Sequence, residues 1–195
     1  MIDLTGRRVC PWASKDEQSL RYHDSEWGIP LHDEGRLFEL LLLEGMQAGL
    51  SWAVVLAKRP AIRAALAGFD PHRLAVWTET EIQQALGSPG IIRNARKIRA
   101  AMTNARAWQT LIRSGSSLDQ LLWAAVDRKP VINHWSSPEE VPASTDLSET
   151  LSRDLKGRGF SFVGPTICYS LMQAAGLVCD HLAWCDCHPD NAPAK

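Results

Sequence analysis

Apolar residues recur along this chain at helical rather than strand spacing. Leu37, Leu40, Leu41 and Met46 form one such stripe behind Asp33, whose short acidic side chain can cap the free amides of a first turn. Gly45 and Gly49 interrupt or end that helix. Ser51 can cap the next, Trp52 to Arg59, which Pro60 is expected to stop because proline has no N–H to donate. Asp70-Pro71 reads as a cap followed by proline at the first helical position, opening a short helix, and another lies around Glu81 to Leu86. Gly87-Ser88-Pro89-Gly90 is a turn, and a long helical pattern runs from Ile92 to Ile112, ending near Gly115. Ser117 and Ser144 look like further caps, and Pro165 opens a helix through Ile167, Leu171 and Ala174 that closes at Gly176. Residues 127–143, with Pro130, Pro138 and Pro142, read as a long loop. Alternation of period two is nearly absent. The expectation is one all-α unit over 1–195, less regular in its N- and C-terminal segments, without repeats or low-complexity stretches.

Composition adds bounds. With 45% hydrophobic and 22% charged residues in 195, the chain can bury a sizeable core. No apolar run approaches the roughly 20 residues that span a membrane, and the first residues lack the apolar stretch of a signal peptide, so a cytoplasmic protein is expected. Eight Trp against two Tyr and four Phe is an unusual ratio, and most of these rings are expected in the core, a few as stacking surfaces. Five cysteines, an odd number, argue for metal ligands or inert thiols rather than a disulfide framework.

The formal net charge of −1 does not advertise nucleic acid, but charge is segregated. Residues 88–118 hold no acid and six bases, Arg93, Arg96, Lys97, Arg99, Arg106 and Arg113, so +6 sits here and −7 in the rest. Blocks of like charge are often no more than a solvated helix face. Here the turn puts free backbone amides and a helix N-terminus at a corner, which favours a phosphate. Gly90 allows close approach, and Arg93, Arg96 and Lys97 could neutralise neighbouring phosphates without reading sequence.

Two pairs of residues have metal-ligand character. Cys10 and His23 are separated by twelve residues, and His181 and Cys185 by three. Two thiolates and two imidazoles make a closed tetrahedral zinc site, which is structural rather than catalytic. The short C-terminal spacing is the more specific of the two. Any one Cys or His taken alone is more often a core residue, and Cys179, Cys187 and His188 lie close enough to compete for the assignment. One acid stands out as well. Glu44 follows four consecutive leucines, so its carboxyl must be buried with a partner or a function. Asp24, Glu26 and Glu39 read as structural or solvated.

Four segments together resemble the DNA-3-methyladenine glycosylase I family. They are Cys10-Pro11-Trp12, then Tyr22-His23-Asp24-Ser25-Glu26-Trp27-Gly28, then Leu43 to Trp52, and finally Phe162 to Ser170 running on to Asp180-His181. The similarity spans roughly residues 8 to 190. The resemblance implies a helix-hairpin-helix glycosylase fold, with the hairpin at Gly87 to Asn94, the basic hairpin and following helix over 88–112, and a zinc-binding portion built from 1–30 and 165–195. It places a structural zinc ion on Cys10, His23, His181 and Cys185, base recognition on Glu44, and stacking on Tyr22 and Trp52 with Trp12 nearby. One position departs from the family, since Ser19 stands where members often carry a Tyr. Trp12 or Trp27 could replace that wall of the pocket.

The activity so implied is release of 3-methyladenine from alkylated double-stranded DNA by a monomeric enzyme. A base methylated at N3 is cationic in the nucleotide and leaves as a neutral molecule, so the work is to extrude it, hold it and admit water. No acid lies between Ser88 and Leu118 to activate that water, and no lysine is assigned as a nucleophile, so strand cleavage is not expected. Two rivals stand beside this reading. A non-enzymatic DNA-binding module would need only the basic turn, and a zinc hydrolase would need an open metal position.

Overall fold

The computed structural model describes residues 6–191. Nine α-helices dominate it: α1 (Glu17–Ser25), α2 (Glu34–Gln47), α3 (Trp52–Ala65), α4 (Pro71–Ala75), α5 (Glu79–Gly87), α6 (Ala95–Arg113), α7 (Leu118–Ala124), α8 (Asp146–Gly157) and α9 (Pro165–Ala174). Among the described residues no helix is long and apolar enough to cross a membrane.

Local chemistry explains most helix starts. Asp33, Ser51, Asp70 and Ser117 accept backbone amides at the heads of α2, α3, α4 and α7, and Pro165 is at the head of α9, as the sequence predicts. The cap of α8 is Thr145 rather than Ser144. The irregular start expected of the chain contains a regular helix, α1, where Asp16 accepts the Ser19 amide.

Pro60 does not stop α3, which continues to Ala65. A proline here leaves the carbonyl of Leu56 without its helical donor, and the Gln18 side chain donates to that carbonyl instead, at 2.8 Å. The donor comes from α1, 38 positions away in the chain.

The core forms around α2, in which every residue from Leu37 to Met46 is buried. Helices α3, α6, α7 and α9 pack on it. An ion-pair cluster lies at Glu39, which is bonded by Arg59 and Arg63, while Arg59 also reaches Glu26 at 2.9 Å. Thus Glu26 and Glu39 are structural, as expected. The long loop holds one surprise for an all-α reading. Val131–Ile132 (β1) pairs in parallel with Val178–Cys179 (β2), in register Val131↔Val178. That short pair fixes the C-terminal segment beside the loop. Gly176 (φ +70) makes the turn into it, where a Cβ would lie 2.3 Å from the Ile29 backbone, so only glycine fits.

Candidate active site and metal centre

Two segments far apart in the chain, around Arg8 and Asp186, are tied together. The Arg8 amide donates to Asp186 Oδ2 at 2.9 Å, and the Asp186 amide returns a bond to the Arg8 carbonyl at 2.8 Å. Just inside this clasp, Cys10, His23, His181 and Cys185 are all buried, and their donor atoms lie within 4.8 Å of one another. His23 Nε2 and His181 Nδ1 are 3.1 Å apart, and Cys185 Sγ stands 3.5 Å from the first and 3.7 Å from the second. Cys10 Sγ is 3.9 Å from His181 Nδ1. Zinc bonds of about 2.0–2.3 Å define tetrahedral edges of about 3.3–3.8 Å, close to this spread.

The outer nitrogens decide what the inner ones can do. His23 Nδ1 donates to Asp24 at 2.7 Å, and His181 Nε2 donates to the Trp27 carbonyl at 3.1 Å. In neutral rings the two converging nitrogens are therefore bare lone pairs that face each other. A hydrogen bond from Cys10, then one from Cys187, holds the Cys185 thiol well below its ordinary range, while the same pairing and burial hold Cys10 above it. A thiolate and two opposed lone pairs suit a cation between them, so the residues fit a metal ion.

Of the competing residues, Cys187 borders the group: its Sγ is 3.9 Å from His23 Nδ1, on the side away from the converging nitrogens, and it bonds Asp24 and the Arg7 guanidinium. His188 donates to the Asn133 carbonyl at 3.0 Å, and Cys179 is in β2.

Beside this centre opens a cavity of about 400 Å³. Trp12, Tyr22, Trp27 and Trp52 line it together with Glu44, Gln47, Ser170, Gln173 and Asp180. The rings of Tyr22 and Trp52 are 5.2 Å apart, and those of Trp12 and Trp27 are 5.0 Å apart edge to face. Three buried side-chain polar atoms have no partner among the described residues: Tyr22 Oη, Glu44 Oε2 and Trp52 Nε1. All three belong to residues of this one cavity. Buried polar atoms are rarely left unpaired, so the cavity is built to receive a polar ligand.

Glu44 is buried without a charged partner, and desolvation pushes its pKa up to about 8. Burial, with Glu44 next in importance, also raises Tyr22. Asp180 differs, since its carboxylate is saturated by Asn133, Trp135, Tyr169 and Gln173 at 2.6–2.8 Å.

The basic turn joins α5 to α6. Gly90 has φ +78, and a Cβ there would press on Ala61 at 3.1 Å, while its carbonyl accepts from Lys58 Nζ at 2.9 Å. Arg93 and Arg96 are exposed beside it. Arg99 and Arg106 are occupied, by Glu79 and by the carbonyls of Ala75 and Trp77. Lys97 corrects an expectation, for it does not offer its charge at the surface. It is 6% exposed, and its ammonium donates to the carbonyls of Met46 and Ala48.

The methyladenine glycosylase family model matches residues 12–188. DNA-3-methyladenine glycosylase 1 of Escherichia coli (strain K12) is 45% identical over 184 residues, 94% of this chain and 98% of that protein. The chain belongs to the methyladenine glycosylase family. It is a DNA glycosylase, an enzyme that hydrolyses N-glycosyl bonds. A crystal structure of 3-methyladenine DNA glycosylase I superposes with a TM-score of 0.91 at 48% identity, covering 93% of this chain and 100% of that one. The Staphylococcus aureus 3-methyladenine DNA glycosylase I, solved for its recognition of 3-methyladenine, gives 0.89 at 35% identity over 93% of this chain and 96% of that one.

Within this methyladenine glycosylase, Ser19 is buried at the head of α1, where its hydroxyl donates to Asp16 at 2.7 Å. It does not line the cavity, and Trp12 and Trp27 both do. Sequence reasoning did not single out Gln47, Ser170, Gln173 or Asp180. For Gln173 and Asp180 a signal existed, since polar residues near an apolar helix end and a buried strand need partners. For Lys97 there was none, because its partners are about 50 positions earlier.

Proposed function

We propose that this enzyme releases 3-methyladenine from alkylated double-stranded DNA in base-excision repair. It acts as a monofunctional glycosylase on an extruded nucleotide. The observation that carries this reading is the set of orphaned polar atoms, Tyr22 Oη, Glu44 Oε2 and Trp52 Nε1, inside one aromatic cavity. Relatives named for 3-methyladenine support the choice of base.

The base lies among Tyr22, Trp52 and Trp12. Its exocyclic amine donates to Glu44, and its positive charge, carried only in the nucleotide, favours the ionised carboxyl. A pKa of about 8 leaves the acid mostly neutral before a base binds, so substrate binding itself drives the proton off. The ionised group then accepts from adenine and opposes guanine O6, another acceptor. Breaking the glycosyl bond neutralises the base, and water completes hydrolysis without an activating acid on α6. The turn between α5 and α6 serves as the hairpin of a helix-hairpin-helix, with Gly90 amides, Arg93 and Arg96 on phosphate. Cys10, His23, His181 and Cys185 hold a structural zinc ion, which would cross-link the two chain ends.

Single-turnover release of each base from methylated DNA tests the reading. Wild type should release 3-methyladenine and spare 7-methylguanine. Glu44→Ala should lose most release. Glu44→Gln keeps the shape and adds a donor, so it should retain some binding and relax the bias against guanine. Wild-type protein that releases no 3-methyladenine overturns the proposal, and Glu44→Ala at wild-type rate and selectivity removes Glu44 from it.

A further inference from the structure

We infer that Lys97 is a positioning residue that couples the DNA-gripping turn to the base cavity. It acts as a strut from α6 to the end of α2, not as a phosphate contact. The inference rests on the proposed reaction but concerns a residue that touches neither base nor phosphate.

Lys97 lies in the first turn of α6, where Asn94 Oδ1 accepts its amide at 3.3 Å and that of Arg96 at 3.0 Å. Its backbone is thus part of the turn that carries Arg93 and Arg96. The side chain runs the other way. Nζ donates to Met46 O at 2.7 Å and to Ala48 O at 2.6 Å. These carbonyls are at the C-terminal end of α2, where helical acceptors lack partners and the dipole is negative, so an ammonium is the fitting cap. They bracket Gln47, which lines the cavity, and come just after Glu44. Beyond Ala48 the chain turns through Gly49 (φ +77) to Ser51 and Trp52, which also lines the cavity.

A second lysine braces the joint from the outside, since Lys58 of α3 bonds the Gly90 carbonyl. The cavity loop and the hairpin turn are therefore one mechanical unit with Lys97 at its centre. Shifts of Arg93 and Arg96 on engaging DNA pass through α6 to the segment that sets Glu44 and Trp52. Neutral packing would not do this. Without the ammonium, two carbonyls lose their donor in a buried place, and the loop must move to find water.

The test uses Lys97→Met, which keeps length and removes the ammonium. Affinity for undamaged duplex should stay within about twofold of wild type and its salt slope should not change, because no phosphate contact is lost. Binding of free 3-methyladenine and single-turnover release should fall by about tenfold to a hundredfold, as small misplacements of reacting groups do. Lys97→Arg, which keeps a cationic donor, should recover part of both. Wild-type protein provides a check that needs no variant: lysine acetylation read by mass spectrometry. Lys97 should be unreactive beside the exposed Lys129 and Lys156, with or without DNA. A drop of about one in the salt slope, or a Lys97 that reacts freely and is protected by duplex, overturns the inference in favour of phosphate contact. Unchanged base binding and release in Lys97→Met overturn it outright. Failure of wild type to release 3-methyladenine bears on the proposed function alone, and acetylation still decides where Lys97 points.

Discussion

Glu44 is the residue in which sequence and environment meet most sharply. Its place after Leu40 to Leu43 was enough to say that a carboxyl is buried, because helical periodicity leaves no outer face there. That the acid has no partner, and that its neighbours Tyr22 and Trp52 are also unpaired, depends on three separate helices meeting. The lone burial has a measurable effect on stability. The folded pKa of about 8 is above the ~4.3 of an unfolded glutamate, so between these values the folded state keeps a proton that the unfolded state has lost. The stabilisation is full below about pH 4 and is lost as pH rises toward 8. Thermal melts should therefore show wild type falling progressively below Glu44→Gln from pH 5 to pH 8, with the gap closing at the acid end. Parallel curves across that range would mean that Glu44 titrates normally.

At the scale of elements, caps were the legible part. Short polar side chains bond amides two or three residues away, so Asp33, Ser51, Asp70 and Ser117 announce helices whatever packs on them later. Pro60 was misread because the rescue of the Leu56 carbonyl comes from Gln18 on another helix. Gln18→Ala should cost stability of about 1 kcal/mol, the value of a typical hydrogen bond, seen as a lower denaturation midpoint. An unchanged midpoint would mean that the break in α3 tolerates an unpaired carbonyl. The α5–α6 turn makes the same point for charge. Six bases between residues 88 and 118 shrink to two exposed and unbonded ones at its tip, Arg93 and Arg96. Substituting both with alanine should reduce the slope of log affinity against log salt by about two and weaken binding to damaged and undamaged duplex alike. A wild-type slope in that double variant would move the DNA grip elsewhere.

At the scale of the whole molecule, segments far apart in the chain meet at one centre. Cys10 and His23 face His181 and Cys185 across more than 150 residues of chain, and joining such distant points restricts the unfolded chain strongly. If zinc occupies the group, purified protein should carry about one metal ion per chain by elemental analysis. Chelation, or His181→Ala, should lower both metal content and melting temperature. The Trp12–Trp27 wall would loosen with it, since Trp27 O holds the His181 ring. Metal-free protein with an unaltered melt would reduce these four residues to a buried hydrogen-bonded cluster.

By itself, the sequence determined what local physics and residue type can carry: helical periodicity, caps, the segregated bases, the candidate ligands and the buried acid. Four motifs with the right residues in order determined the family. The tertiary structure alone decided which polar atoms are satisfied. Lys97 and Arg96 are adjacent in the chain and alike in charge, yet one is sealed against the end of α2 and the other is exposed. Glu39 and Glu44 are on the same buried helix, yet one meets two arginines and the other faces an aromatic cavity without a hydrogen-bond partner among the described residues. The physical reason is the same in both cases. A charge or hydrogen-bonding group has the energy of its surroundings, and those surroundings come from residues tens of positions away.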